Sequence, residues 1–119
     1  MRKLLLAVTV GLAMSGAAGA QDIGGNYTVE GTNLDGSAYG GTAEIKLTSE
    51  TTCEIYWTTG PTTSQGICMR NENAFSAGYV LGDAIGLVIY LVNDDGSMQG
   101  VWTIAGQEGS GTETLTPIQ

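Results

Sequence analysis

The sequence contains no histidine. That absence removes Ser-His-Asp and Cys-His triads, histidine zinc sites and any imidazole proton shuttle. Basic residues are also scarce, four against twelve acids, for a net charge of −8. Nucleic acid, whose phosphates demand a Lys/Arg footprint, is therefore excluded as a partner. Charged residues make up only 13% of the chain, too few for a disordered acidic tail, and the 42% hydrophobic content supports a packed core. Two prolines beside nineteen glycines predict tight turns rather than a Pro-rich linker. The 119 residues suffice for one small domain.

The one long apolar run lies at the start. Met1-Arg2-Lys3 is a short basic segment, Leu4 to Met14 is apolar, and Ser15 to Ala20 offers small residues ending Ala18-Gly19-Ala20. This pattern predicts a secretory signal peptide over residues 1–20, cut before Gln21. Eleven apolar residues reach roughly 16 Å as a helix, short of a ~30 Å hydrocarbon core, so a membrane span is not expected. No cysteine follows the cut to carry a lipid. The mature domain, residues 21–119, keeps Lys46 and Arg70 against all twelve acids, a net charge of −10. The expected product is acidic and exported, periplasmic or secreted.

An oxidising compartment reads Cys53 and Cys68 as a disulfide. A hairpin centred between Gly60 and Pro61 sets the two cysteines directly opposite one another, where Cβ atoms come close enough to bridge. Closing a loop of about 15 residues contributes about 3 kcal/mol in the chain-entropy model.

The remainder reads as short strands. Thr42 to Thr48 alternates, with Ala43, Ile45 and Leu47 on one face and Glu44, Lys46 and Thr48 on the other. Similar runs occur over 27–31, 53–57, 66–70, 75–81, 98–105 and 112–116, while Ala84 to Val92 is apolar on both faces. Internal Gly78, Gly82 and Gly86 argue against a helix over 77–92. Eight consecutive strands with short polar turns predict an all-β fold, an eight-stranded antiparallel up-and-down barrel, with a β-sandwich as the alternative. One motif repeats sixty residues apart: Asn33-x-Asp35-Gly36-Ser37-x-x-Gly40 and Asn93-x-Asp95-Gly96-Ser97-x-x-Gly100. It predicts two hairpin turns of one design, with Asp-Gly supplying positive φ. A calcium loop would need an alternating acidic ladder that neither copy has.

No catalytic residues are assigned, and no metal or cofactor site is expected. Glu44 and Glu54 are the nearest approach to an acid/base pair, but both fall on polar strand faces. Asn26-Tyr27-Thr28 matches a glycosylation sequon. More telling are the aromatics Tyr27, Trp57, Tyr79, Tyr90 and Trp102, on five different strands, which are candidates to fill the core or line a ligand-holding mouth. Tyr56 points outward beside Glu54, and an exposed strand edge could accept a partner strand.

The opening Gly25-Asn26-Tyr27-Thr28-Val29-Glu30-Gly31-Thr32-Asn33-x-Asp35-Gly36-Ser37-x-Tyr39-x-Gly41-Thr42 resembles that of small secreted bacterial proteins labelled fibronectin-binding proteins. Asp95-Gly96-Ser97-x-x-Gly100-x-Trp102-Thr103 and Gly109-x-Gly111-Thr112-Glu113-Thr114-Leu115-Thr116 are similar to the ending of those proteins. The resemblance implies a protein partner, with fibronectin as the candidate, and it carries no ligand-binding residue set. The sequence thus leads to an exported non-enzymatic β-domain that binds a protein. The alternative is a lipocalin- or avidin-like carrier of a small apolar ligand.

Overall fold

A computed structural model describes residues 22–119; the expected leader and its cleavage site lie outside the described residues. Alternating sequence produces eight strands: β1 (Gly25–Thr32), β2 (Ala38–Leu47), β3 (Thr52–Thr59) and β4 (Thr62–Asn71), then β5 (Ala74–Leu81), β6 (Ala84–Val92), β7 (Met98–Ile104) and β8 (Gly111–Pro117). Each pairs antiparallel with the next, and β8 returns to pair with β1 from Tyr27↔Pro117 to Thr32↔Thr112. The sheet closes into an up-and-down barrel, which settles barrel against sandwich. Closure also corrects the expectation of a free strand edge, because every strand has two hydrogen-bonded neighbours.

The hairpin centred on Gly60-Pro61 sets Cys53 opposite Cys68. The two are disulfide-bonded, with Cα atoms 4.9 Å apart. The repeated motif builds two superimposable turns. In each, the Asn backbone N–H donates to the Ser carbonyl four residues on, and the Ser hydroxyl donates to the Asp carboxylate at 2.6 Å. Gly36 and Gly96 take φ of 90° and 89°, left-handed values that a side chain would strain. One turn sits at each end of the barrel.

The interior is filled unevenly. At the end holding the 93–97 turn, Phe75, Met98, Ile55 and Leu115 are fully buried, and Ile23 closes the base ahead of β1. Phe75 and Tyr90 stack with ring centroids 5.6 Å apart. Leu47, expected inward with Ala43 and Ile45, is 40% exposed at the end of β2, still paired with Cys53 but beyond the last residue paired with β1, Ile45 opposite Gly25.

Room for inward rings comes from glycines directly across the ladder: Gly31 opposite Tyr39, Gly86 opposite Tyr79, Gly100 opposite Tyr90 and Gly111 opposite Trp102. Each ring lies over its glycine, the pairing that lets a small barrel hold large side chains at strong curvature. A Cβ on Gly100 would stand 2.4 Å from the Ile89 carbonyl oxygen and 2.6 Å from the Tyr90 ring. Gly100→Ala is expected to cost about 1–3 kcal/mol by overpacking. Gly78→Ala, on the outer wall with its nearest atom 3.8 Å away, should stay within about 0.5 kcal/mol. Urea denaturation of both variants checks this, and equal losses would remove the steric account.

Candidate ligand site at the open mouth

Period-two alternation carries one side chain per two residues into the barrel, and near the 33–37 turn those side chains stop filling it. A cavity of about 290 Å³ opens there. Trp57 from β3, Tyr79 from β5 and Trp102 from β7 stand around it with Tyr39 from β2, and Glu113 from β8 forms part of its lining. Thr59, Thr62 and Ser64 add hydroxyls on the β3–β4 side. Tyr39 and Trp102 meet edge to face at 6.2 Å, and Trp57 tilts against Tyr79 at 5.1 Å, both ordinary aromatic geometries.

Among the described residues, Glu113 is the charged residue that is buried, 6% exposed. Tyr39 donates its hydroxyl to Oε1 at 2.6 Å, and Trp57 donates its indole N–H to Oε2 at 2.8 Å. Tyr90 also donates to Oε2, from below. A carboxylate taken from water is tolerable only when donors satisfy it, and three from three strands do so here. In return the carboxylate fixes the orientation of three large rings.

The five sequence-selected aromatics divide between two places. Trp57, Tyr79 and Trp102 line the mouth. Tyr90 lies beneath it, stacked on Phe75, and Tyr27 lies near the closed end, donating to the Ile23 carbonyl at 2.5 Å. Glu44 and Glu54 are exposed on the outer wall, where Glu54 accepts the Tyr56 hydroxyl at 2.7 Å and Lys46 sits 5.4 Å over the Tyr56 ring. Tyr39 and Glu113 escaped selection. Both were readable from alternation: Tyr39 shares the parity of Ala43 and Ile45, and Thr112-Glu113-Thr114-Leu115-Thr116 places Glu113 on the face of Leu115.

Burial, reinforced by the Glu113 charge, pushes the Tyr79 hydroxyl up to about 12 and raises Tyr39 and Tyr90 well above the ordinary tyrosine value. Burial, with Asp22 adding and Arg70 opposing, also raises Tyr27 to about 12. These hydroxyls hold their protons more tightly folded than unfolded. Their contribution to stability is therefore complete below the unfolded value near ~10 and is lost as pH rises through the folded values. Urea midpoints should hold up to about pH 9 and fall steeply between about 10 and 12. Over the same range tyrosinate absorbance should report outward-facing Tyr56 first and the other four only with unfolding. Ionisation of several tyrosines in a still-folded barrel at pH 10 would contradict the buried network.

No family model and no curated protein matches the chain. Solved structures do. A redesigned β-barrel aligns with TM-score 0.71 at 17% identity, over 86% of this chain and 96% of its own. The redesigned barrel mFAP1, bound to DFHBI, aligns with TM-score 0.70 at 21% identity, over 83% and 98%. The REP1-NXSQ fatty acid transporter aligns with TM-score 0.55 at 16% identity, over 82% and 97%. At these identities the likeness is one of fold.

Proposed function

We propose that the protein is a non-catalytic carrier that holds one small, largely apolar molecule in the open mouth of its barrel. The observation that carries this reading is the uneven filling of the interior. Side chains pack one half solidly, and in the other they leave a cavity of about 290 Å³ walled by aromatic rings, near the lower limit of the ~300–1,000 Å³ usual for ligand sites. Asn33, Thr59, Thr62, Ser64 and Glu113 share the lining with the rings, and such polar groups orient a bound molecule. Two similar barrels support it: mFAP1 is bound to DFHBI, and REP1-NXSQ is a fatty acid transporter. Catalysis is disfavoured because the buried carboxylate accepts hydrogen bonds on both oxygens from groups that orient it. The export expected from residues 1–20 would place such a carrier outside the cytoplasm.

A protein partner such as fibronectin is the second reading, and the apolar outer wall of β4–β7 is the observation that favours it. Ile67, Leu87 and Ile89 are all more than half exposed there.

Native mass spectrometry of the protein from its own source should show an additional small mass that leaves on activation. Tryptophan emission should shift when the emptied protein is titrated with small aromatic molecules of different charge. Ser64→Phe, filling the cavity beside Trp57, should weaken that response at least tenfold. A bare chain whose emission stays flat with every molecule in the set would end the carrier reading.

A further inference from the structure

The mouth has an electrostatic character that narrows its cargo. Among the residues lining the cavity, Glu113 is the one that carries a charge, and no Lys or Arg is among them. The donors to Glu113 are a tryptophan N–H and two tyrosine hydroxyls, all neutral, so hydrogen bonding satisfies its oxygens without neutralising the charge. Two carboxylate oxygens offer about four acceptor positions, and three are taken. Trp57, Tyr79 and Trp102 belong to the lining, and aromatic rings carry negative π-faces, which attract cations more strongly once desolvated. A carboxylate cargo would bring a second negative charge into the same low-dielectric space.

We propose that the cargo is a small protonated amine on an aromatic or aliphatic body. The ammonium is held between the faces of Trp57, Tyr79 and Trp102 and donates to the remaining acceptor position of Glu113. This inference rests on the carrier reading and adds the ligand class. It also gives Glu113 the opposite charge that buried ions ordinarily have.

Three isosteres test it in the unaltered protein at pH 7: phenethylamine, neutral 2-phenylethanol and anionic 3-phenylpropionate, followed by tryptophan emission and calorimetry. Phenethylamine should bind at least tenfold tighter than the alcohol, and the propionate should not bind. Glu113→Gln should cost the amine at least tenfold more affinity than the alcohol, so that the preference for the amine disappears whatever the variant does to the mouth as a whole. Equal affinities for amine and alcohol, or tightest binding of the propionate, would overturn the cation assignment and leave the carrier reading intact. Silence from all three would defeat both.

The outer wall carries a second, independent inference. Every outward side chain of β4–β7 is uncharged, whereas Glu30, Glu44, Lys46 and Glu54 project from β1–β3. On β6, Ile85, Leu87, Ile89 and Leu91 form a ridge 56–63% exposed. Beside it on β5 the outward residues include Ser76 and Gly78, opposite Ile89 and Leu87, so a shallow groove runs between that ridge and Ile67 and Met69 of β4. With Val80 and Val101, eight large apolar side chains stand 46–74% exposed on this one wall. Apolar faces of such breadth are rare on monomers and mark interfaces.

We infer that a second copy of the chain covers this face. A two-fold axis sets the β6 ridge of each protomer into the β5 groove of the other, as a self-complementary contact requires. An anionic membrane is a poor alternative, because the face offers no Lys or Arg to it. Sedimentation velocity between 1 and 100 µM should show a dimer. The double substitution Leu87→Glu and Ile89→Glu should give a monomer with unchanged circular dichroism and cargo binding, the mouth being untouched. A wild-type monomer at 100 µM, a dimer that survives the double substitution, or a monomer that binds fibronectin through these residues would each overturn the assignment.

Discussion

A single buried carboxylate organises the open half of the barrel. Glu113 belongs to the last strand, yet its donors come from β2, β3 and β6, so it ties the wall together across the interior rather than along the ladder. Such a group is costly to leave unsatisfied, which makes its three donors mutually dependent. Tyr39, Trp57 and Tyr90 each need it in place, and it needs all of them. The rings that shape the mouth are therefore held by hydrogen bonds as well as by packing, which preserves a cavity where an ordinary apolar core would collapse.

The same economy of space runs through the glycines. An eight-stranded barrel has an interior just wide enough for side chains, and six tyrosines and tryptophans with a phenylalanine would overfill it. Placing a glycine across the ladder from Tyr39, Tyr79, Tyr90 and Trp102 lets each ring lie flat against bare backbone. The disulfide joins β3 to β4 in the closed half, away from the mouth. The covalent constraint and the carboxylate network thus stabilise different halves of one interior.

Much of this was legible in the sequence, for a physical reason. Strand alternation has a period of two, so parity alone assigns faces, and the placement of Ile55, Trp57, Phe75 and Ala77 inside follows from it. The cysteine pairing and the twin turns were equally local, set by hairpin symmetry and Asp-Gly chemistry. Closure of β8 onto β1 was expected, with a sandwich as the alternative, because strand order alone does not decide between them. What escaped was non-local. Composition does not reveal which of twelve acids turns inward, although the parity of Glu113 with Leu115 contains the answer. The depth of each ring along the barrel axis, which separates Tyr27 from Trp102, depends on the stagger between strands and is invisible to alternation. The double-faced apolar character of β6 was visible, but its outward half is covered by nothing within the domain.

Both ends of the described chain leave from the floor of the barrel: the residues before β1 close its base, and Ile118 donates its backbone N–H to the Asn26 carbonyl at 2.9 Å. The mouth is bordered by continuous turns alone. A fusion, tag or surface tether at either terminus would therefore present the cavity outward with nothing crossing it. Joining the ends across the β1–β8 seam and reopening the chain at a rim turn would instead yield a circular permutant with its new termini beside the ligand, a natural point to attach a reporter.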